Sequence, residues 1–193
     1  MADEPINLVI VFGGQSAEHD VSCVTAAHVM RAVDRSRYSI TAIGIDRSGQ
    51  WHLAEAAMKA LEAGPEALPD RLTADGLPVS SAPVLAAASS QGRTVVVPLL
   101  HGPMGEDGTV QGLLELLDLP YVGSGVLGSA VSMDKAMAKD VLARHGVPQP
   151  RYSVLRVDEV STARIDAAIR DLGLPMFVKP ANMGSSVGIS KVK

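Results

Sequence analysis

The sequence predicts an α/β protein that begins with an open parallel sheet. Two apolar runs rich in β-branched residues, INLVIVF at residues 6–12 and TVVVPLL at residues 94–100, are typical of strands buried on both faces. The first run ends in a glycine pair. Apolar residues then recur at helical spacing from Ala17 to Val33, before a further strand, YSITAIGID. Strand, glycine turn, helix and strand form a βαβ unit, which predicts a Rossmann-like layered domain.

Composition and charge favour a globular protein that binds a small ligand. The chain has 193 residues, enough for one domain and part of another, and 47% of them are hydrophobic. The formal net charge of -4 comes without a basic block, which argues against a nucleic-acid partner. The first residues, MADEP, are acidic, and no apolar stretch approaches the roughly 18–20 residues of a membrane span, so we expect a cytoplasmic protein. The single cysteine, Cys23, lies in an apolar helical pattern and is expected to be a buried hydrophobe.

The middle of the chain is less regular and predicts a domain boundary. Residues 51–59 and 64–92 contain several prolines and an Ala/Ser-rich tract, which favours loops with at most a short hairpin. A helix is expected over residues 109–117, ending before Pro120. The pattern of residue types changes at GSGVLGS, so we place a first domain at residues 1–123 and a second at residues 124–193.

The second domain begins with a well-punctuated helix. Asp134 is a suitable N-cap, Gly146 is placed to close the helix in a left-handed conformation, and Pro148 follows. YSVLRV then predicts a strand, and residues 161–172 predict a helix. MFVKP and GISKV predict two strands that flank the glycine/serine loop, in the manner of an antiparallel hairpin.

Two polar residues follow strands of the first domain. Glu18 lies in FGGQSAEHDVS, between the first strand and its helix, and His101 comes directly after the strand at residues 94–100. Ligands of open α/β sheets collect at the carboxyl ends of the strands, so both residues are expected at one edge, in a small polar pocket. A tight turn at Gly13 and Gly14 and a structural hydrogen bond of His101 remain alternatives. The segment is not the dinucleotide fingerprint G-x-G-x-x-G, because only Gly13 and Gly14 are present and the third glycine is absent.

A second candidate site consists of two lysines and a glycine loop. Lys135 and Lys179, together with GSSVG at residues 184–188, could enclose a polyphosphate with ammonium groups, hydroxyls and backbone amides. Lys179 lies within MFVKP, where an unpaired buried ammonium would be costly, whereas Lys139, Lys191 and Lys193 are expected to be solvated. The pattern is not that of a P-loop.

These segments together resemble the D-alanine–D-alanine ligases of the ATP-grasp group. The resemblance rests on GGQSAEHDVS, HGPMGEDGTVQGLLELLDLPYVGSG, SMDK and VKPANMGSSVGISKV, in that order, and covers nearly the whole chain. It implies that the second domain is the first part of an ATP-grasp α+β domain. It also implies an ATP-dependent ligase of peptidoglycan synthesis, which joins two D-alanines through a D-alanyl phosphate.

The resemblance assigns roles to individual residues. Glu18 matches a glutamate that contacts the amino group of the first D-alanine and is hydrogen-bonded toward a serine, which matches Ser185, and these two are the expected catalytic residues. His101 matches a histidine of the first-substrate pocket. The expected ATP-binding residues are Lys135, Lys179, Gly184, Ser185, Ser186, Val187 and Gly188.

The resemblance also implies features outside these residues. Family members continue past the glycine loop, so the ligands for Mg²⁺ or Mn²⁺ are expected beyond Lys193, and residues 1–193 alone are expected to be inactive. A homodimer through the N-terminal domain is likewise implied. A ligase that takes D-lactate or D-serine second, and a non-catalytic dinucleotide-binding module, remain alternatives.

Overall fold

The computed structural model describes residues 5–90 and 92–193. It divides into two compact units, Met1–Ala130 and Val131–Lys193. No helix in the described part of the chain is long and apolar enough to cross a membrane. The domain boundary expected near Gly123 stays a prediction, and each unit is described separately.

The first unit is built on a five-stranded sheet in the order β4-β3-β2-β1-β5. β1 pairs in parallel with both β2 and β5, whereas β3 and β4 extend the β2 edge in antiparallel pairing. The predicted α/β class with a parallel sheet is thus confirmed for the three strands at and beside the centre. The strands and α-helices are β1 (Ile6–Gly13), α1 (His19–Ala32), β2 (Tyr38–Ile45), β3 (Trp51–Leu53), α2 (Glu55–Glu62), β4 (Leu77–Val79), α3 (Ser81–Ser89), β5 (Thr94–Pro98) and α4 (Thr109–Leu116). A further helix, α5 (Val126–Met133), begins in the first unit and ends in the second.

The sheet is buried on both faces. Successive side chains of β1 alternate: Ile10 and Phe12 belong to one core cluster, while Val9 and Val11 belong to another. The first cluster includes residues of α1 and α2, and the second includes residues of α3 and α4. Cys23 is 1% exposed, and burial is the main reason that its pKa is raised to about 11. Its predicted core role is therefore confirmed.

The expectation of loops over residues 51–59 and 64–92 is wrong, because α2 and α3 form there. α2 buries Ala57 and Leu61, which are one helical turn apart, and α3 buries Leu85 and Ala88. The prolines predicted loops, but they do not prevent regular structure here because they occupy positions where a missing N–H is tolerated. Pro83 lies in the first turn of α3 and Pro78 lies on the short strand β4 at the sheet edge.

The second unit contains the predicted capped helix and hairpin. α6 (Lys135–Arg144) begins after Asp134, whose carboxylate accepts hydrogen bonds from the backbone N–H groups of Ala136 and Met137. Gly146 follows with φ +69°, as the left-handed closing position requires. The remaining elements are α7 (Thr162–Leu172), β6 (Met176–Val178) and β7 (Ser190–Val192), and the two strands pair antiparallel.

The predicted strand YSVLRV is wrong. Residues 152–156 have no strand conformation, and no strand in the described part of the chain pairs with them. An alternating segment becomes a strand only when a neighbour supplies hydrogen bonds. Tyr152 instead donates from its hydroxyl to Asp140 Oδ1 over 2.7 Å, and Lys139 Nζ lies 4.6 Å from the centre of its ring. Lys139 is therefore not simply solvated as expected.

A buried hydroxyl links α1 to the carboxyl ends of two strands. Ser22, which is fully buried, accepts a hydrogen bond from Gly13 N over 2.8 Å. The same hydroxyl donates to Leu99 O over 2.6 Å. One side chain of α1 thereby fixes the end of β1 and the residue just after β5.

A second link joins β3 to the segments after β2 and before β4, and it depends on a protonated histidine. His52 Nε2 lies 3.0 Å from Asp46 Oδ2, and His52 Nδ1 lies 3.2 Å from Gly76 O. Both neighbours are acceptors, so both ring nitrogens donate only when the imidazole is protonated. The hydrogen bond to Asp46 is the main reason that the His52 pKa is raised. The Asp46 pKa is lowered, first by the Ser48 hydroxyl and then by His52.

Replacement of Ser22 should destabilise the first unit. Ser22→Ala leaves Gly13 N–H and Leu99 C=O without this partner in a buried place, so we expect the free energy of unfolding to fall by about 1–3 kcal/mol. Urea unfolding followed by circular dichroism measures the change. Ser90→Ala, which removes an exposed hydroxyl bonded within its own helix turn, is the control and should change stability by less than about 0.5 kcal/mol. Equal effects of the two substitutions would contradict the role of Ser22.

The His52 link should make stability depend on pH. A raised folded-state pKa means that this contribution is complete below the unfolded value of about 6.5 and is lost as the pH rises through the folded value. We therefore expect wild type, but not His52→Gln, to lose this increment in urea unfolding as the pH rises from about 6.5 through the raised folded-state value. His28→Gln, which changes an exposed histidine of α1, should follow the wild-type profile. Parallel profiles for wild type and His52→Gln would disprove the link.

Candidate functional site

The loops after β1 and β5 meet at the carboxyl edge of the sheet. Glu18 occupies the N-cap position of α1, and His101 lies three residues after the end of β5. Ser16 Oγ donates to His101 O over 2.7 Å and joins the two loops. A methyl group built on Gly102 would come within 2.8 Å of Glu18 Oε2, so the Glu18 carboxylate lies against the residue that follows His101. The structure thus brings Glu18 and His101 to one edge, as predicted.

The ring of His101 faces the first turns of α1. Thr25 Oγ1 donates its proton to Val21 O over 2.9 Å, so it acts as acceptor toward His101 Nε2, 3.4 Å away. This contact places a hydrogen on Nε2 of the His101 ring.

The acidic residues after His101 shape the loop from within. Gly102 N donates to Glu106 Oε2 over 2.7 Å, and Met104 N donates to Asp107 Oδ2 over 2.8 Å. Burial opposes ionisation of Asp107, but backbone hydrogen bonds from Met104 and Thr109 hold its pKa below the ordinary value. These carboxylates bind backbone amides and so hold the segment after His101 in a turn.

A largely apolar cavity of about 180 Å³ lies beside His101. Its lining includes Gly14, Trp51, Leu100, His101, Met104 and Leu113. Sequence reasoning missed Trp51 because it lies in β3, within a segment interpreted as loop. A lone tryptophan in an irregular segment gives no signal that β3 will carry it to this edge.

In the second unit, Lys135 holds the base of the glycine loop. Its Nζ donates to Ala181 O over 3.4 Å and to Met183 O, and its backbone N–H donates to Ala181 O over 3.0 Å. Asn182 Nδ2 donates to Asp134 Oδ2 over 3.2 Å. The start of α6 and residues 181–183 therefore form one hydrogen-bonded group.

Lys179 departs from the expected environment. β6 ends at Val178, one residue earlier, and Phe177 and Val178 are 59% and 55% exposed. Lys179 is itself exposed, so the argument from a buried ammonium is wrong. Its ammonium is instead accessible to an anion near the loop.

The glycine loop is a compact turn between β6 and β7. Val187 N donates to Gly184 O over 3.0 Å, and Ile189 N donates to Ser186 O over 3.3 Å. Ser185 and Ser186 both have positive φ, +45° and +62°, an uncommon conformation for residues with side chains. Strained backbone of this kind is frequent at ligand-binding loops. Exposed serine hydroxyls beside an exposed lysine suit a phosphate.

The predicted sites are divided between the two units. Glu18 and His101 belong to the first, whereas Lys135, Lys179 and residues 184–188 belong to the second. The approach of Ser185 to Glu18 stays a prediction. Within residues 5–90 and 92–193, no group of three His, Cys, Asp or Glu side chains could hold a metal ion.

Family models match both parts of the chain. The model described as D-ala D-ala ligase N-terminus matches residues 7–124, and the model described as D-ala D-ala ligase C-terminus matches residues 141–193. The two matches follow one another in order.

Curated relatives carry the same name. The chain is 46% identical over 187 residues to the D-alanine--D-alanine ligase of Deinococcus radiodurans, with 96% of this chain and 52% of the relative covered. It is 47% identical over 204 residues to the D-alanine--D-alanine ligase A of Bradyrhizobium diazoefficiens, with 100% and 54% covered. The chain therefore spans about half the length of the curated relatives it matches.

Solved structures agree with these matches. The D-alanine-D-alanine ligase from Coxiella burnetii is 32% identical with a TM-score of 0.78, and the match covers 97% of this chain and 56% of that one. The D-Ala:D-Ser ligase from Enterococcus faecalis is 30% identical with a TM-score of 0.70, covering 97% and 55%. One family model matches more than half of this chain. The chain therefore belongs to the D-alanine–D-alanine ligase family.

Proposed function

We propose that the full-length protein is an ATP-dependent ligase that joins two D-alanines into D-alanyl-D-alanine for peptidoglycan synthesis. The observation that carries the proposal is the ordered match of both family models, over residues 7–124 and 141–193. Relatives named D-alanine--D-alanine ligase, at 42–47% identity, support it. The activity is assigned to the longer protein because the chain spans about half of those relatives.

The first D-alanine would bind at the carboxyl edge of the sheet in the first unit. In this proposal the Glu18 carboxylate receives the ammonium group, and His101 lines the same pocket. The geometry supports these roles because the Glu18 carboxylate lies against Gly102, the residue after His101, and Ser16 links the two loops. A charge-assisted hydrogen bond from an ammonium group is stronger than one between neutral partners, which favours an amino acid as ligand.

ATP phosphates would bind to the second unit. The proposed contacts are Lys135, Lys179 and the loop of Gly184, Ser185, Ser186, Val187 and Gly188. The exposed ammonium of Lys179 and the exposed loop hydroxyls fit an anion. In this arrangement Lys135 would contribute charge while its ammonium also holds the loop base.

This charge arrangement suits the chemistry of carboxylate activation. An oxygen of the first D-alanine carboxylate attacks the γ-phosphorus of ATP and ADP leaves, because a free carboxylate is a poor acyl donor. The amine of the second D-alanine then attacks the carbonyl carbon, and phosphate leaves while the amine loses its proton. Phosphoryl transfer depends mainly on alignment and charge neutralisation, which lysines and backbone amides supply. A loop closed over the acyl phosphate would exclude water. Glu18 and Ser185 are the proposed catalytic residues.

Three further features belong to the same proposal. ATP chemistry of this kind would use Mg²⁺ or Mn²⁺ to neutralise phosphate charge, and its ligands would lie beyond Lys193. A homodimer through the N-terminal domain and a cytoplasmic location complete it. They rest on the family membership.

D-alanine is proposed as the second substrate, with D-serine and D-lactate as alternatives, because the curated relatives at 46% and 47% identity are named for D-alanine. A dinucleotide-binding module without ligase chemistry is disfavoured by the incomplete glycine fingerprint and by the family match.

Substrate-dependent turnover tests the proposed function. Full-length protein given ATP and Mg²⁺ should release ADP and phosphate with D-alanine and form D-alanyl-D-alanine, detected by mass spectrometry. L-alanine should give no turnover above background, since the pocket must bind the amino and carboxylate groups of a single enantiomer. Equal ATP turnover with L-alanine would refute the proposal. Faster product formation in a mixture of D-alanine with D-serine or D-lactate would move the assignment to that second substrate.

Replacement of Lys179 tests the phosphate site. Lys179→Gln removes an exposed ammonium at the loop and should raise the KM for ATP about tenfold or more, because a charge-assisted contact is lost. Lys191→Gln changes an exposed lysine of the adjacent strand β7 and should leave the KM within about twofold. Steady-state ADP release measures both. A KM for ATP that is unchanged in Lys179→Gln would remove Lys179 from the proposed contacts.

A further inference from the structure

We propose that Ser16 is a positioning residue, which fixes Glu18 relative to His101 and so sets the affinity for the first amino acid. This inference rests on the proposed function, and it assigns a role to a residue outside the predicted contact set. All of the contacts involved lie within the first unit.

The hydroxyl of Ser16 bonds to both candidate residues. It donates to His101 O over 2.7 Å, although the two residues are 85 positions apart in the chain. It accepts from Glu18 N over 3.2 Å. The directions of these bonds follow from chemistry, because a backbone N–H only donates and a carbonyl oxygen only accepts.

These bonds meet where α1 begins. Glu18 is the N-cap of α1, and no side-chain cap bond is made from it. The Ser16 hydroxyl oxygen therefore accepts a hydrogen bond from a backbone N–H at the start of α1, while the hydroxyl proton is donated to the loop after β5. The Ser16 O atom also accepts from His19 N over 3.2 Å, which holds residues 16–19 in a tight turn.

The Glu18 carboxylate depends on the same contact between loops. Gly102 has φ +72°, and a methyl group there would come 2.8 Å from Glu18 Oε2 and 3.3 Å from Ser16 Cβ. The carboxylate and Ser16 thus share the space above one glycine. If the hydroxyl bond to His101 O is removed, the loop that carries Glu18 is held less firmly against the loop after β5, and the position of the carboxylate beside Gly102 becomes less restrained.

Ser16 differs in role from the buried Ser22. Ser22 is fully buried and holds the ends of β1 and β5, so its loss should act on stability. Ser16 is half-buried and lies outside the strands and helices. Its loss should act on ligand affinity, because bound substrate restores the geometry at the expense of binding free energy.

Steady-state kinetics of the full-length protein test the inference. Ser16→Ala should raise the KM of the first D-alanine about tenfold and keep kcat within about twofold. Ser16→Thr keeps a hydroxyl and should restore the KM to within about threefold of wild type. Ser90→Ala, which removes an exposed hydroxyl just after α3, should match wild type. An unchanged KM in Ser16→Ala, or a Ser16→Thr variant that behaves as Ser16→Ala, would overturn the inference.

Hydrogen exchange separates this inference from the proposed function. In residues 1–193, the Glu18 amide should exchange about tenfold faster in Ser16→Ala than in wild type or Ser16→Thr, with unchanged exchange in β1. If wild-type full-length protein shows no D-alanine-dependent ADP release, the proposed function fails, and the exchange result still decides whether Ser16 positions Glu18. Unchanged exchange at Glu18 would overturn the positioning role.

Discussion

The parallel pairing of β1 with both of its neighbours is the constraint on which the first unit depends. Ile10 stands level with Ala42 of β2 and with Val97 of β5, so all three strands point the same way at the same height. Their carboxyl ends then emerge at one edge, about 4.8 Å apart from strand to strand. This alone brings a loop near residue 14 beside a loop near residue 100. The hydroxyls of Ser22 and Ser16 convert that proximity into fixed distances.

Much of this architecture could be predicted from the sequence because its signals are local. Runs such as INLVIVF indicate buried strands by composition, and α6 is marked by its own caps, Asp134 and Gly146. The rule that strand ends share an edge was enough to place Glu18 with His101. The family resemblance, stated on four motifs, agrees with the matches over residues 7–124 and 141–193.

The rest depends on contacts between distant segments, which periodicity does not reveal. Pro83 looked like a helix breaker, but its effect depends on its position in the first turn of α3. YSVLRV has the alternation of a strand and lacks a pairing neighbour among the described residues. The apolar neighbours of Lys179 in the sequence predict that it is buried, yet Phe177 and Val178 are exposed. The role of Ser16 required the position of a single oxygen atom, which no sequence pattern gives.

The anchored base of the glycine loop has a consequence for conformational entropy. Lys135 and Asp134 hold residues 181–183 on one side, and β7 begins at Ser190 on the other. Fixing the backbone of a free residue costs about 1–2 kcal/mol, so a long unanchored loop would resist closure over a ligand. Here the ordering cost falls on a short segment around residues 184–188. Under the proposed function, this anchoring would lower the entropic cost of closing the loop over ATP phosphates, although the anchoring atoms need not touch them.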